Sequence, residues 1–261
     1  MQREPTPSSE GRQVRLSLPI TRPRLTYVLL GAITLVFVAQ LVLLQQNYPN
    51  PEPITPWGAM IFERILDYGE YYRLFTSMFI HLNETHFFSN ALALYFVGRA
   101  VETYFGRGRM AIIYFLGGIS GSLASFMFSR GASAGASGAI FALIGAELAF
   151  LWLNRQLLGA QGRAWFQQTL VIAGLNLFVG LASTAVPTAV HIDNWGHIGG
   201  FFAGLVLAWF IAPQYEIKAE GNTPDHFRLV DRTSVTMTWR VPAIYMAGML
   251  AALIYSVLNL R

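Results

Sequence analysis

The chain has no cysteine, so neither disulfide bonds nor thiolate-bound metal can hold it together. Charge is scarce too: only 12% of its 261 residues are Asp, Glu, Lys or Arg, against roughly 25% in an ordinary soluble domain. A surface so poor in charge could not coat one or two soluble domains of this length. There is no His-Glu-x-x-His pair of the zinc-protease kind, no low-complexity tract and no internal repeat. What is abundant is apolar: 54% of residues are hydrophobic and the mean hydropathy is +0.43. That content excludes disorder and points to a membrane.

A bilayer core about 30 Å thick needs roughly 20 apolar residues in a helix. Seven stretches fit: 25–44, 85–100, 110–128, 136–153, 169–186, 194–211 and 241–258. The first is uncharged, lies too far in for a signal peptide and lacks a small-residue cleavage site, so it reads as a retained helix. The expected class is an all-α polytopic bundle: an N-terminal region 1–24, a six-span core 25–211, a linker 212–240 and a seventh membrane helix 241–261.

Basic residues orient it. With the N-terminus in the cytoplasm, 14 of the 18 Lys and Arg fall inside, leaving Arg64, Arg73, Arg130 and Arg261 outside. The C-terminus is then extracytoplasmic, and the net charge of +4 is a topology signal. No basic stripe with interleaved aromatics remains for nucleic acid. Glu4 and Glu10 near the start argue against a mitochondrial targeting peptide, which favours a bacterial plasma membrane. The long outer segment 45–84 mixes Trp57, Ile61 and Phe62 with Glu63, Arg64, Asp67 and Glu70, a composition suited to short amphipathic helices on the membrane surface.

Polar groups are costly inside a bilayer, so those that remain are functional candidates. His86 and Asn90 stand four apart on one helix face at the start of the second span, just after His81. Ser137 follows a glycine-rich run and opens the fourth span, and His197 opens the sixth. Spans two, four and six all run in the same direction, so these polar starts share one leaflet. Gly138, Ala142, Gly145 and Ala149 form one small-residue stripe, and Gly196, Gly200 and Gly204 another, which lets the fourth and sixth helices approach closely.

A serine within reach of a histidine is the minimal activated nucleophile. The Ser137 backbone amide, the Asn90 amide and His86 are donors suited to a developing oxyanion; equally, His86 and Asn90 could simply bond neighbouring helices. No acid completes a triad: Glu147 lies about 15 Å further down its helix, and Asp193 reads as a helix cap. Glu147 and Asn176 read as interhelical polar contacts. Against the Ser–His reading stand a histidine metal site, which lacks its motif; a non-catalytic protein holding client helices; and a transporter, whose polar site would sit nearer the midplane.

Gly135-Ala136-Ser137-Gly138, Gly196-His197-Ile198-Gly199-Gly200, and His81 with His86 and Asn90 resemble the signature regions of rhomboid intramembrane serine proteases, over about residues 73–211. The resemblance implies Ser137 as nucleophile and His197 as its base, with His86 and Asn90 helping to form the oxyanion hole. It implies no cofactor and no metal, and single-span membrane proteins cleaved near the outer leaflet as substrates. Gly135, Gly138, Gly200, Gly204 and His81 would support the site, as would Phe141, an aromatic beside the catalytic histidine where some members have Tyr. Arg73, Glu102 and the turn at residues 106–109 look like structural family features supporting the outer loop and the inner end of the second span. The helix after the linker resembles the seventh helix of some members. Oligomeric state is not legible.

Overall fold

The computed structural model describes residues 20–47, 53–183, 192–219, 227–233 and 239–260. The expected region 1–24 therefore lies outside the described residues up to 19, as do 184–186 of the fifth apolar stretch. Among the described residues ten α-helices follow one another: α1 (Leu25–Asn47), α2 (Ile54–Gly58), α3 (Phe62–Tyr68), α4 (Arg73–Thr76), α5 (Glu84–Ala93), α6 (Arg99–Phe128), α7 (Ser137–Leu153), α8 (Arg155–Ser183), α9 (Asn194–Ile211) and α10 (Arg240–Leu260). A π-helical stretch, Leu94–Gly98, joins α5 to α6.

All seven apolar stretches fall on helix within the described residues, and five helical segments are long and apolar enough to cross a membrane by length and composition. One of them is the 45-residue run Glu84–Phe128, which holds two of the stretches and breaks at Gly106 (φ 77°, ψ 166°). A second break, at Gly159 (φ 55°, ψ −136°), sets the start of α8 proper ten residues before the expected span. The molecule is an all-α polytopic membrane protein.

Helix α7 is the hub. It is apolar all round and buried from Ala139 to Leu151, as a helix with no solvent face must be, and α6, α8 and α9 enclose it. Backbones meet where the glycines stand. Positions Gly200 and Gly204 of α9 press on the carbonyl oxygens of Gly138 and Ala142, and Gly145 of α7 presses on that of Phe201. A Cβ at Gly121 of α6 would lie 2.6 Å from the Gly196 carbonyl oxygen, so three helices converge there. The two small-residue stripes therefore pack as the sequence implies.

Distant side chains fasten the rest. Glu102 is fully buried and caps α1 from α6: its carboxylate accepts from the backbone N–H of Arg24 (2.7 Å), Leu25 (2.8 Å) and Thr26 (2.7 Å) and from the Thr26 hydroxyl (2.7 Å). Buried Arg73 holds the long loop by donating to the Pro56 and Ala59 carbonyls, both at 2.8 Å, and to Glu70 at 2.6 Å. That loop forms α2–α4 and a strand, β1 (Met60–Ile61), paired antiparallel with β2 (Ala132–Ser133). Met60, Phe62, Ile65, Leu66 and Leu74 cluster with Leu123 and Phe126 of α6 beneath it.

One expectation needs correction. Asn176 is exposed and donates to the Ile172 carbonyl of its own helix at 2.8 Å instead of bridging helices; an amide on an outward face can reach the carbonyl four residues back. The linker also contains a hairpin, β3 (Tyr215–Ala219) with β4 (Phe227–Asp231), in which Tyr215, Ile217 and Ala219 alternate with Glu216 and Lys218, a strand pattern only five residues long. Asn154 anchors it by donating to the Pro213 carbonyl (2.9 Å) and accepting from the Tyr215 N–H (3.0 Å), and Arg109 pairs with Asp231 at 2.7 Å. Arg109 thus serves the hairpin, whereas Glu102 serves α1.

Candidate active site

The starts of α5, α7 and α9 come together at one end of the bundle. Ser137 is the first residue of α7, where backbone N–H groups lack intrahelical acceptors. His197 lies in the first turn of α9 and is buried, 8% exposed. The two helix starts touch through backbone: a Cβ at Gly138 would stand 3.4 Å from the Gly196 carbonyl oxygen.

Phe141, one turn after Ser137, lies flat on His197, with ring centroids 4.3 Å apart and planes 14° from parallel. The spacing puts Ser137 and Phe141 on one face of α7, so the face that carries the hydroxyl also carries the ring that holds the imidazole. The His197 Nδ1 atom is buried with no hydrogen-bond partner among the described residues, so no carboxylate orients the ring through it. Nor does a hydrogen bond join the Ser137 and His197 side chains among the described residues; such pairs commonly tighten only when substrate is bound.

His86 and Asn90 reach the same loop from α5. Gly135 has φ 117°, and a Cβ there would fall 2.6 Å from His86 Nε2 and 3.7 Å from Asn90 Nδ2. Only glycine satisfies both that backbone angle and that proximity. The Asn90 amide donates one proton to the His86 carbonyl at 2.8 Å and keeps a second. Asn83 caps α5 by accepting from the His86 N–H at 2.9 Å, which fixes the first turn on which His86 sits.

The main chain of His81 is held by Gln40: its N–H donates to Gln40 Oε1 at 3.2 Å and its carbonyl accepts from Gln40 Nε2 at 3.0 Å. The ring is buried edge-on among Phe37, Phe87 and His86. Burial, reinforced by His86 nearby, pushes its pKa down to about 4. The ring is therefore neutral near pH 7 and packs as an aromatic.

Asp193 caps α9 through Gly196 N–H (2.9 Å), as expected, and its other oxygen accepts from the Ser133 hydroxyl. A recess of about 10 Å³ lies beside Ser137, lined also by Ser77, Ser122, Ser133 and Asp193, and is of the size and polarity that suit a single water. The Ser77 and Ser122 hydroxyls bond across it at 3.1 Å. These serines were not foreseen, because they come from three loops and helices with no shared spacing. Glu147 lies on α7 ten residues past Ser137 and accepts from Thr169 of α8 at 3.3 Å, an interhelical contact as the sequence suggested.

Residues 68–214, more than half of the chain, match the Rhomboid domain. The chain is 38% identical over 187 residues to the Rhomboid protease GluP of Bacillus subtilis (strain 168), covering 72% of this chain and 34% of that protein. It is 36% identical over 179 residues to RHOMBOID-like protein 1 of Arabidopsis thaliana, covering 67% and 44% respectively. With RHOMBOID-like protein 7 of the same plant the figures are 35% over 171 residues, 64% and 52%. The aligned part thus spans from about a third to about half of the length of these relatives. On the strength of that domain match, the chain belongs to the rhomboid family.

Proposed function

We propose that this chain is an intramembrane serine endopeptidase working by a Ser137–His197 dyad. The observation that carries the reading is the convergence of three helix starts, with Phe141 stacked on His197 and the Gly135 loop against His86 and Asn90. In the proposed reaction the Ser137 oxygen attacks the scissile carbonyl while the His197 imidazole takes its proton. The Ser137 amide, Asn90 and His86 hold the developing oxyanion. The leaving amide nitrogen takes the proton from His197, and water then hydrolyses the ester, returning Ser137 to its starting state. That His197 Nδ1 has no hydrogen-bond partner among the described residues supports a dyad over a triad, and slow turnover is expected without an orienting carboxylate.

The substrates proposed are single-span membrane proteins cleaved near the outer leaflet. The core 25–211 carries the chemistry, followed by the linker 212–240 and the seventh helix 241–261. The charge asymmetry supports a cytoplasmic N-terminus and an extracytoplasmic C-terminus; a bacterial plasma membrane is the location proposed. The chemistry needs no cofactor.

The test is cleavage of a single-span reporter in liposomes by the wild type, Ser137→Ala and His197→Ala, with fluorophosphonate labelling alongside. Cleavage and labelling at Ser137 by the wild type alone is the expected result. Equal cleavage by all three, or no labelling of the wild type, would overturn the dyad.

A further inference from the structure

The Rhomboid match ends at residue 214, yet the chain beyond it is fastened to the core at two levels. At one end of the bundle the hairpin is held by Asn154 and by the buried Arg109. Further along, α10 packs against both α6 and α9. Its Tyr245 hydroxyl bonds the Ser120 hydroxyl at 2.9 Å, and Met249 Sδ lies 3.3 Å from the same oxygen. A stripe of α10 continues through Met249, Ala252, Leu253, Val257 and Leu260, which pack on the cluster of Met60, Phe62, Leu123 and Phe126. Val241, Pro242 and Ala243 at its start are half-buried and Ser256 is buried, while most of the remaining residues of α10 are exposed to the surroundings.

Both ends of that stripe lead to the candidate site. Met60 belongs to β1, which pairs with Ser133 of β2, four residues before Ser137. Ser120 precedes Gly121, whose Cα is the close neighbour of Gly138 and whose missing Cβ leaves room for the Gly196 carbonyl. The Ser120 carbonyl itself faces α9: a Cβ at Gly199 would stand 3.0 Å from it. Ser120 is therefore a junction, touching α10 by its hydroxyl and α9 by its carbonyl. The Ser120 hydroxyl donates to the Leu116 carbonyl of its own helix at 2.8 Å and so accepts from Tyr245, whose hydroxyl has no water inside a bilayer to take the place of that acceptor; the bond ties α10 to this face of α6.

We infer that Tyr245 is a positioning residue for the proteolytic site: through Ser120 it holds α6 at the rotation that keeps Gly121 against Gly138 and Gly196, and hence Ser137 within reach of His197. The inference rests on the dyad proposed above, and its test carries one readout that does not.

The experiment uses the full chain in liposomes, as wild type, Tyr245→Phe, Ser120→Ala and the double variant. Tyr245→Phe keeps the ring and its packing and removes only the hydroxyl. Rates of reporter cleavage are normalised to the fluorophosphonate-reactive fraction, and hydrogen exchange is followed at residues 135–138 and 194–200. Each single variant is expected to lower kcat about threefold to tenfold, the range one hydrogen bond supplies, with KM within about twofold. The double variant should be no slower than Ser120→Ala, because that change already removes the bond to Tyr245 along with the one to Leu116. Exchange at both segments should speed up by a similar factor. A smaller reactive fraction with an unchanged rate per site would mean structural support only and would overturn the inference; so would losses that multiply in the double variant. If the wild type neither cleaves nor labels, the proteolytic reading has failed, and unchanged exchange in Tyr245→Phe would independently sink the positioning role.

Discussion

Phe141 lies flat against His197 at 4.3 Å, and it does so from the same helix face that presents Ser137 one turn earlier. The nucleophile's helix therefore carries the clamp on the base, so any rotation of α7 displaces both partners together. Phe141→Leu removes the flat surface while keeping the site apolar. It is expected to lower kcat about tenfold or more, as misplacement of a reacting group does, whereas Phe141→Tyr keeps the stack and stays within about threefold. Reporter cleavage in liposomes, normalised to labelled Ser137, checks both.

Gly204 presses on the Ala142 carbonyl and Gly200 on that of Gly138, whereas Gly31 and Gly248 have open space around them. Gly204→Ala should push α7 and α9 apart and destabilise the protein by about 1–3 kcal/mol or more, as overpacking does. Gly248→Ala should be neutral or stabilising by up to about 1 kcal/mol, since alanine favours helix. Thermal unfolding in detergent separates the two. A fall in melting temperature for Gly248→Ala as large as that for Gly204→Ala would refute the close-packing account.

Glu102 satisfies three backbone donors at the start of α1. Glu102→Gln keeps an acceptor and loses the charge, at an expected cost of about 1 kcal/mol; Glu102→Ala strands the donors and should cost about 2 kcal/mol or more. The measurement is thermal unfolding together with the rate of proteolytic nicking near residues 20–26, which should rise in both variants.

His81 is held neutral by burial, with its pKa pushed down to about 4 from the ordinary 6.5. The unfolded chain takes up that proton first as pH falls, so this histidine favours unfolding progressively between pH 6.5 and about 4, and contributes no pH dependence above that window. The melting temperature should decline across the window. In His81→Gln the decline should be shallower by the share of one proton, with a lower melting temperature at pH 7 from lost packing. An identical slope in the two proteins would count against a neutral, buried His81.

The helices were legible because membrane crossing imposes a length and an apolar content that any reader of the chain can count. Glycine spacing in α7 and α9 likewise announced their close approach, since only a stripe of missing side chains lets two backbones touch. Ser137, His197, His86 and Asn90 could be singled out because a bilayer makes polar groups costly and therefore conspicuous. The fastenings between distant segments were not legible: Arg73 on the Pro56 and Ala59 carbonyls, Asn154 on the hairpin, Ser133 on Asp193 and Ser120 on Tyr245.

The amino-acid sequence by itself determined which stretches enter the membrane and which polar residues remain there, because both follow from the transfer of each residue out of water. Tertiary structure alone decided which of those polar residues meet. Phe141 reaches His197, Gly135 reaches His86 and Ser120 reaches Tyr245 only once α6, α7, α9 and α10 have packed at fixed rotations, and helix rotation is set by the interlocking of side chains from separate segments, which no local pattern records.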